Sequence, residues 1–184
     1  MPSPIAHGAV AFLIARRLRT RFPELAGTRW PALASLALLG TMVVLSLLPD
    51  LDVVVALAYG DMEGFHNQAS HSFLFGLLMA PLVGGILWAL GRWGFWPLGY
   101  WRWTGLALLA YQLHVVMDYF SKGRGVRLLW PFEDDRYTAP MPLFYGVRWA
   151  DGWWTSGHLL TLLNELAFAA LIFIAAFYRR PRRG

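Results

Sequence analysis

Long apolar stretches separated by short polar ones run through most of this chain. Pro31–Leu48 and Phe73–Leu90 carry no charge, Trp103–Phe120 none until Asp118, and Leu159–Tyr178 is interrupted only by Glu165. Each approaches the roughly 20 apolar residues that a helix needs to cross a bilayer. A shorter apolar stretch, Ile5–Leu18, precedes them. The pattern predicts an all-α integral membrane bundle of four spanning helices plus a short N-terminal helix, forming a single domain over 1–184. Ser121–Gly157, rich in Gly, Pro and aromatics, reads as an ordered extramembrane loop. No internal repeat is evident.

Composition supports this class. Of 184 residues, 57% are hydrophobic and 15% charged, against about 25% charged in a typical soluble domain. The net charge of +5 would suit a nucleic-acid partner, but its distribution gives another explanation. With the tail RRPRRG in the cytoplasm and four crossings, Arg16, Arg17, Arg19, Arg21, Arg29, Arg92, Arg102 and the tail arginines all fall on that side. That is the positive-inside bias of a multi-pass protein, so membrane lipids are the expected partners and nucleic acid is not. Trp93–Trp103 and Trp149–Trp154 read as interfacial aromatic belts. No removable signal peptide is expected. With no cysteine, disulfides, zinc fingers and thiolate nucleophiles are excluded, and any metal must be held by histidine and carboxylate.

In this orientation the polar chemistry gathers at the outer side. In LLPDLDVV, Pro49 breaks the first full span, and Asp50 and Asp52 follow at the boundary. HNQASHS, with His66 and His71, leads into the next span, where Ser70 or Asn67 is a candidate helix cap. His114 and Asp118, one turn apart on one helix face, close the third span. Alone, these motifs have plainer readings: a hydrogen-bonded pair, a helix exit, an interfacial histidine. Together they read as a site for a divalent metal, zinc foremost, with manganese or iron as alternatives. One of Asp50 and Asp52 would ligate while the other orients a histidine.

The order His7, PDLD, HNQASHS and HVVMDYFSKGRGVRLLWPF resembles the membrane-bound metal-dependent hydrolases, also called LexA-regulated inner-membrane hydrolases. The likeness runs from His7 to about Phe132. It implies a bacterial inner membrane location and a hydrolase whose ligands come from His7, Asp50, Asp52, His66, His71, His114 and Asp118. The spacing of His7, Asp50, His66, His114 and Asp118 is also similar to bacterial zinc-dependent phospholipase C. That likeness implies one metal on His66, His114 and Asp118, a second involving His7 with Asp118 bridging, and Asp50 as general base. His7 sets a geometric demand: it lies about 18 Å along a helix before Arg19, whereas Asp50 lies about 31 Å after Arg29. The first helix must therefore tilt or sink, with its arginines snorkelling to the cytoplasmic interface.

Lys122, Arg124 and Arg127 are candidates to contact a phosphate, or else solvated loop charges. Asp151 and His158 could complete the site from the fourth span, and Glu165 is expected to pair with a polar neighbour in the bundle. The reading is a metal-dependent hydrolase, with one or two ions, acting on a phosphoester of a lipid or lipid-linked molecule. A metal or proton transporter, and a scaffold stapled by a structural metal, are the alternatives.

Overall fold

The computed structural model describes residues 3–92, 98–147 and 155–178. Its regular elements are helices: α1 Pro4–Leu18, α2 Pro23–Ala26, α3 Pro31–Leu45, α4 Asp52–Tyr59, α5 Met62–Phe65, α6 Phe73–Gly91, α7 Tyr100–Tyr119 and α8 Ser156–Phe177. Among the described residues there is no strand, only isolated bridges joining Ser121 to Phe144 and Val126 to Tyr137. The all-helical expectation stands. The span count is lower: α6 and α8 are long and apolar enough to cross a membrane, and a third span counts only if α3 and Pro49–Tyr59, bent by 56°, are one broken crossing. The fourth expected span, α7, has 20 residues but carries Arg102, Gln112, His114 and Asp118.

Pro49 acts as the sequence predicts. α3 stops at Leu45, Ser46 turns its hydroxyl onto Val43 O at 2.7 Å, and Pro49–Leu51 forms a single 3-10 turn before α4. α4 ends at Gly60, whose φ of 68° is the left-handed conformation that favours glycine.

α6 and α7 form an antiparallel hairpin, with Gly76 against Tyr111 and Gly84 against Thr104. α1 runs parallel to α8. Ser3 at its start donates to Glu165, and Arg16 and Arg17 near its end donate to Ala176 O and Ala175 O at 3.1 and 2.7 Å. Those arginines satisfy carbonyls that the end of α8 leaves without helical partners. Leu38, Met42 and Leu45 of α3 pack with Ala11, Ala15, Trp103, Leu106 and Ala110 in one buried cluster. Small residues at such contacts let helices approach closely where lipid supplies no hydrophobic drive. Trp103 is therefore a core residue rather than part of an interfacial belt, while Trp101 is exposed. The proposed Trp149–Trp154 belt lies outside the described residues.

The Gly84 contact gives a stability prediction. A methyl group there would stand 2.7 Å from both Cα and N of Thr104, backbone atoms that cannot swing aside. Gly84→Ala should cost about 1–3 kcal/mol and lower the melting temperature in detergent by roughly 3–10 °C. Gly40→Ala, where nothing lies within 4 Å, should leave it unchanged or slightly raised.

Candidate metal centre

Four chain segments deliver one ligand atom each to a common point. The turn after Pro49 carries Asp50, the Ala69–His71 turn carries His71, and α7 carries His114 and Asp118 one turn apart. His71 Nε2 lies 3.4 Å from Asp50 Oδ1, 3.2 Å from Asp118 Oδ2 and 3.2 Å from His114 Nε2. His114 Nε2 lies 3.4 Å from Asp50 Oδ1 and 3.3 Å from Asp118 Oδ2. A tetrahedron with metal–ligand bonds of about 2.0–2.1 Å has edges of about 3.3–3.4 Å. The observed separations are those edges.

Hydrogen bonding on the far side of each ring fixes which nitrogen faces inward. His114 Nδ1 donates to Ser46 O at 2.7 Å. Ser70 gives its hydroxyl proton to Asp52 Oδ2 at 2.5 Å, so His71 Nδ1 donates to Ser70 Oγ at 3.0 Å. Both rings then present a bare Nε2 to two carboxylates. His71, His114 and Asp118 are fully buried, and Asp50 Oδ1 and both Asp118 oxygens have no hydrogen-bond donor. Converging acceptors in a dry site are strongly unfavourable unless a cation lies between them. Burial opposes charge on His71, yet the facing carboxylates of Asp118, Asp50 and Asp52 outweigh it and hold its pKa well above the ordinary histidine value. The field that favours a proton there favours a divalent cation equally. The residues fit such an ion, and their nitrogen and oxygen donors suit zinc-like metals.

Asp52 fills the orienting role. It accepts from His66 Nδ1 at 2.5 Å, from Asn67 N at 3.1 Å and from Ser70, and stands 3.3 Å from His71 Nδ1. Asp50, Asp52 and His66 form a second, more accessible group able to hold an ion, sharing Asp50 with the first. The grouping His66–His114–Asp118 implied by the phospholipase likeness is not the one that converges: His71 takes that place, and His66 turns to Asp52. Helix capping differs too. Ser72 caps α6 by accepting from Phe75 N, while Ser70 is engaged with Asp52 and Asn67 has a positive φ of 63°. His7 reaches the site as the tilted-helix demand requires. Its ring stacks on His114 with centroids 3.8 Å apart, and its Nε2 is 3.3 Å from Asp118 Oδ1.

The loop cations serve the architecture. Arg124 donates to His66 O, Arg127 pairs with Asp134 at 3.2 Å, and Lys122 lies over the Tyr145 ring. Arg136, missed in the sequence, donates to Asn67 O, Gly125 O and Gln68 Oε1, each at 3.1 Å, bracing the His66–Gln68 turn. Burial, then the nearby charges of Arg124 and Arg127, lowers the pKa of Arg136. Only its place between acidic residues was visible in the sequence, and that reads as a solvated charge. Glu165 is buried and accepts from Ser3 N and Oγ, away from the ligand groups. His158 belongs to neither ligand group, and Asp151 lies outside the described residues.

The model of the YdjM inner membrane protein family matches residues 1–182. The chain belongs to that family. The YdjM-family protein named inner membrane protein YbcI, from Escherichia coli (strain K12), is 28% identical over 180 residues, covering 93% of this chain and 92% of the relative. No solved structure matches. YdjM membership, with α6 and α8 apolar enough to span, makes this a membrane protein of an inner membrane family, in keeping with the LexA-regulated likeness. Neither name carries a hydrolase or a phospholipase.

Elemental analysis of the detergent-purified protein checks the metal reading. About one tightly held divalent ion per chain is expected, lost in His71→Ala and in Asp118→Ala. Asp52→Asn keeps every inner ligand and removes the orienting charge, so affinity should fall on the order of 10–100-fold. Unchanged metal content in the two alanine variants would show that the four groups do not hold an ion.

Proposed function

We propose that the protein is a membrane-embedded, metal-dependent hydrolase acting on a phosphoester of a lipid or lipid-linked molecule at the outer side of the bilayer. The observation that carries this reading is the pairing of two ligand groups through Asp50: one closed and buried, the other open toward the surface. The side chains of His71, His114 and Asp118 have no exposed area, whereas those of Asp50 and Asp52 are 19% and 12% exposed. A bound divalent cation supplies Lewis-acid chemistry, stabilising charge on a phosphoryl oxygen and lowering the pKa of water to about 7.

The chain's own groups divide the remaining work. Asp50 Oδ1 faces both inner imidazoles, so it serves as a ligand shared between the groups rather than as the free general base expected from the sequence. The base in this proposal is His66. Its Nδ1–H is held by Asp52, which leaves Nε2 to take the proton from an attacking water. Asp52 thereby orients His66 and His71 together. His7, packed against His114 and beside Asp118 Oδ1, keeps water from the buried side of the site.

A specific observation favours a second reading. Four protein ligands already complete a tetrahedron at the inner group, as in closed structural sites. A metal staple would need only that group. Turnover separates the two. With phospholipid in mixed micelles, His66→Ala should retain the buried ion and lose about 100-fold or more in rate, whereas Asp118→Ala should lose ion and rate together. Metal-loaded protein that cleaves no phosphoester lipid would support the staple. Cation uptake into proteoliposomes would support a transporter.

A further inference from the structure

The segment 139–146 belongs to the loop that the sequence places outside the membrane, yet its surroundings are those of the bilayer. Met141, Leu143 and Tyr145 point outward and are 80%, 62% and 50% exposed, while Phe144 between them is buried. Phe144 packs on Phe168 of α8 with ring centroids 4.9 Å apart, and on Ala6 and Met117. The outward face adjoins a helix that crosses the membrane: Asn164 of α8 donates to Leu143 O at 3.4 Å and accepts from Tyr145 N at 3.3 Å. Thr161 donates to Gly146 O at 2.9 Å. At 1.5 Å per residue, Asn164 lies about 12 Å and Phe168 about 18 Å along α8 from its first residue. If α8 spans, the segment lies below the outer end of that span.

Its backbone meets the condition for such depth. Irregular backbone is tolerated in the hydrocarbon region only where its polar groups are satisfied by protein. Pro140 and Pro142 carry no N–H. Ala139 N donates to Tyr119 O, Leu143 N and Phe144 N donate to Phe120 O, and Phe144 O accepts from Lys122 N. Asn164 and Thr161 satisfy the remaining groups named above. A water-facing loop has no need of such pairing, nor any reason to present Met, Leu and Tyr together. α4 shows a similar character at the Asp50–Asp52 edge. Of its residues only Ala56 is buried, and Val54, Leu57 and Tyr59 face outward.

We infer that residues 139–146 and α4 are immersed in the outer leaflet, their outward side chains in contact with phospholipid acyl chains, so that the metal centre is bordered by lipid instead of water. The partner of this surface is the bilayer itself, and the inference stands whether or not the site hydrolyses anything. Since the chain has no cysteine, single-cysteine spin labelling of the full protein in phosphatidylethanolamine–phosphatidylglycerol nanodiscs tests it directly. Labels at Met141→Cys, Leu143→Cys and Val54→Cys should collide with oxygen several-fold more often than with a water-soluble nickel chelate, matching Leu163→Cys on α8. Readings that match Asp134→Cys, whose side chain is 81% exposed in the acidic part of the loop, would overturn the inference. Hydrogen–deuterium exchange of the unlabelled protein in the same discs guards against disruption by a label. Protection of 139–146 equal to that of the outer half of α8 supports immersion, and rapid exchange refutes it.

Discussion

Two imidazole nitrogens and two carboxylate oxygens meet at tetrahedral separations in a pocket from which water is excluded, and the rest of this structure depends on that meeting. None of the four can donate to another once Ser46 and Ser70 have taken the outward ring protons. Their mutual repulsion in low dielectric is far larger than at a surface. A divalent cation turns that repulsion into attraction and ties together the α3–α4 break, the turn before α6 and the end of α7. Because these ligands come from distant parts of the chain, ion binding and correct packing of the bundle are coupled.

The elements around the centre are positioned from several directions. α1 is fixed along α8 by Ser3 on Glu165 at one end and by Arg16 and Arg17 on α8 carbonyls at the other. That bracing brings His7 over His114. Glycines at the α6–α7 contact draw the helices close enough for Tyr111 to donate to Ser70 O at 2.6 Å, which steadies the turn carrying His71. Arg124 and Arg136 hold the preceding turn from the loop side. The polar interior is thus a connected network in which most members orient a neighbour, the arrangement expected of metal sites with supporting second-layer contacts.

Much of this was legible in the residues themselves. His114 and Asp118 at a helical repeat, and a proline-broken segment followed by Asp50 and Asp52, were enough to indicate a metal site at one membrane side. What the residues could not give was the choice between His66 and His71, because a left-handed Asn67 and a short turn decide which ring faces inward. Nor could they reveal Arg136, whose role depends on the carbonyls of a turn far away in sequence. The Ser3–Glu165 contact was equally hidden, since it requires knowing that α1 lies parallel to α8. Hydropathy overstated the count of clear spans. α7 is long enough, but the residues that make the site polar also make the helix less apolar.

X-ray absorption at the metal edge of the purified protein tests the central claim most directly. The account predicts one shell of four nitrogen and oxygen donors near about 2.0 Å, with the outer scattering of two imidazole rings. A six-oxygen shell without imidazole, or no metal edge from protein purified without chelator, would contradict it.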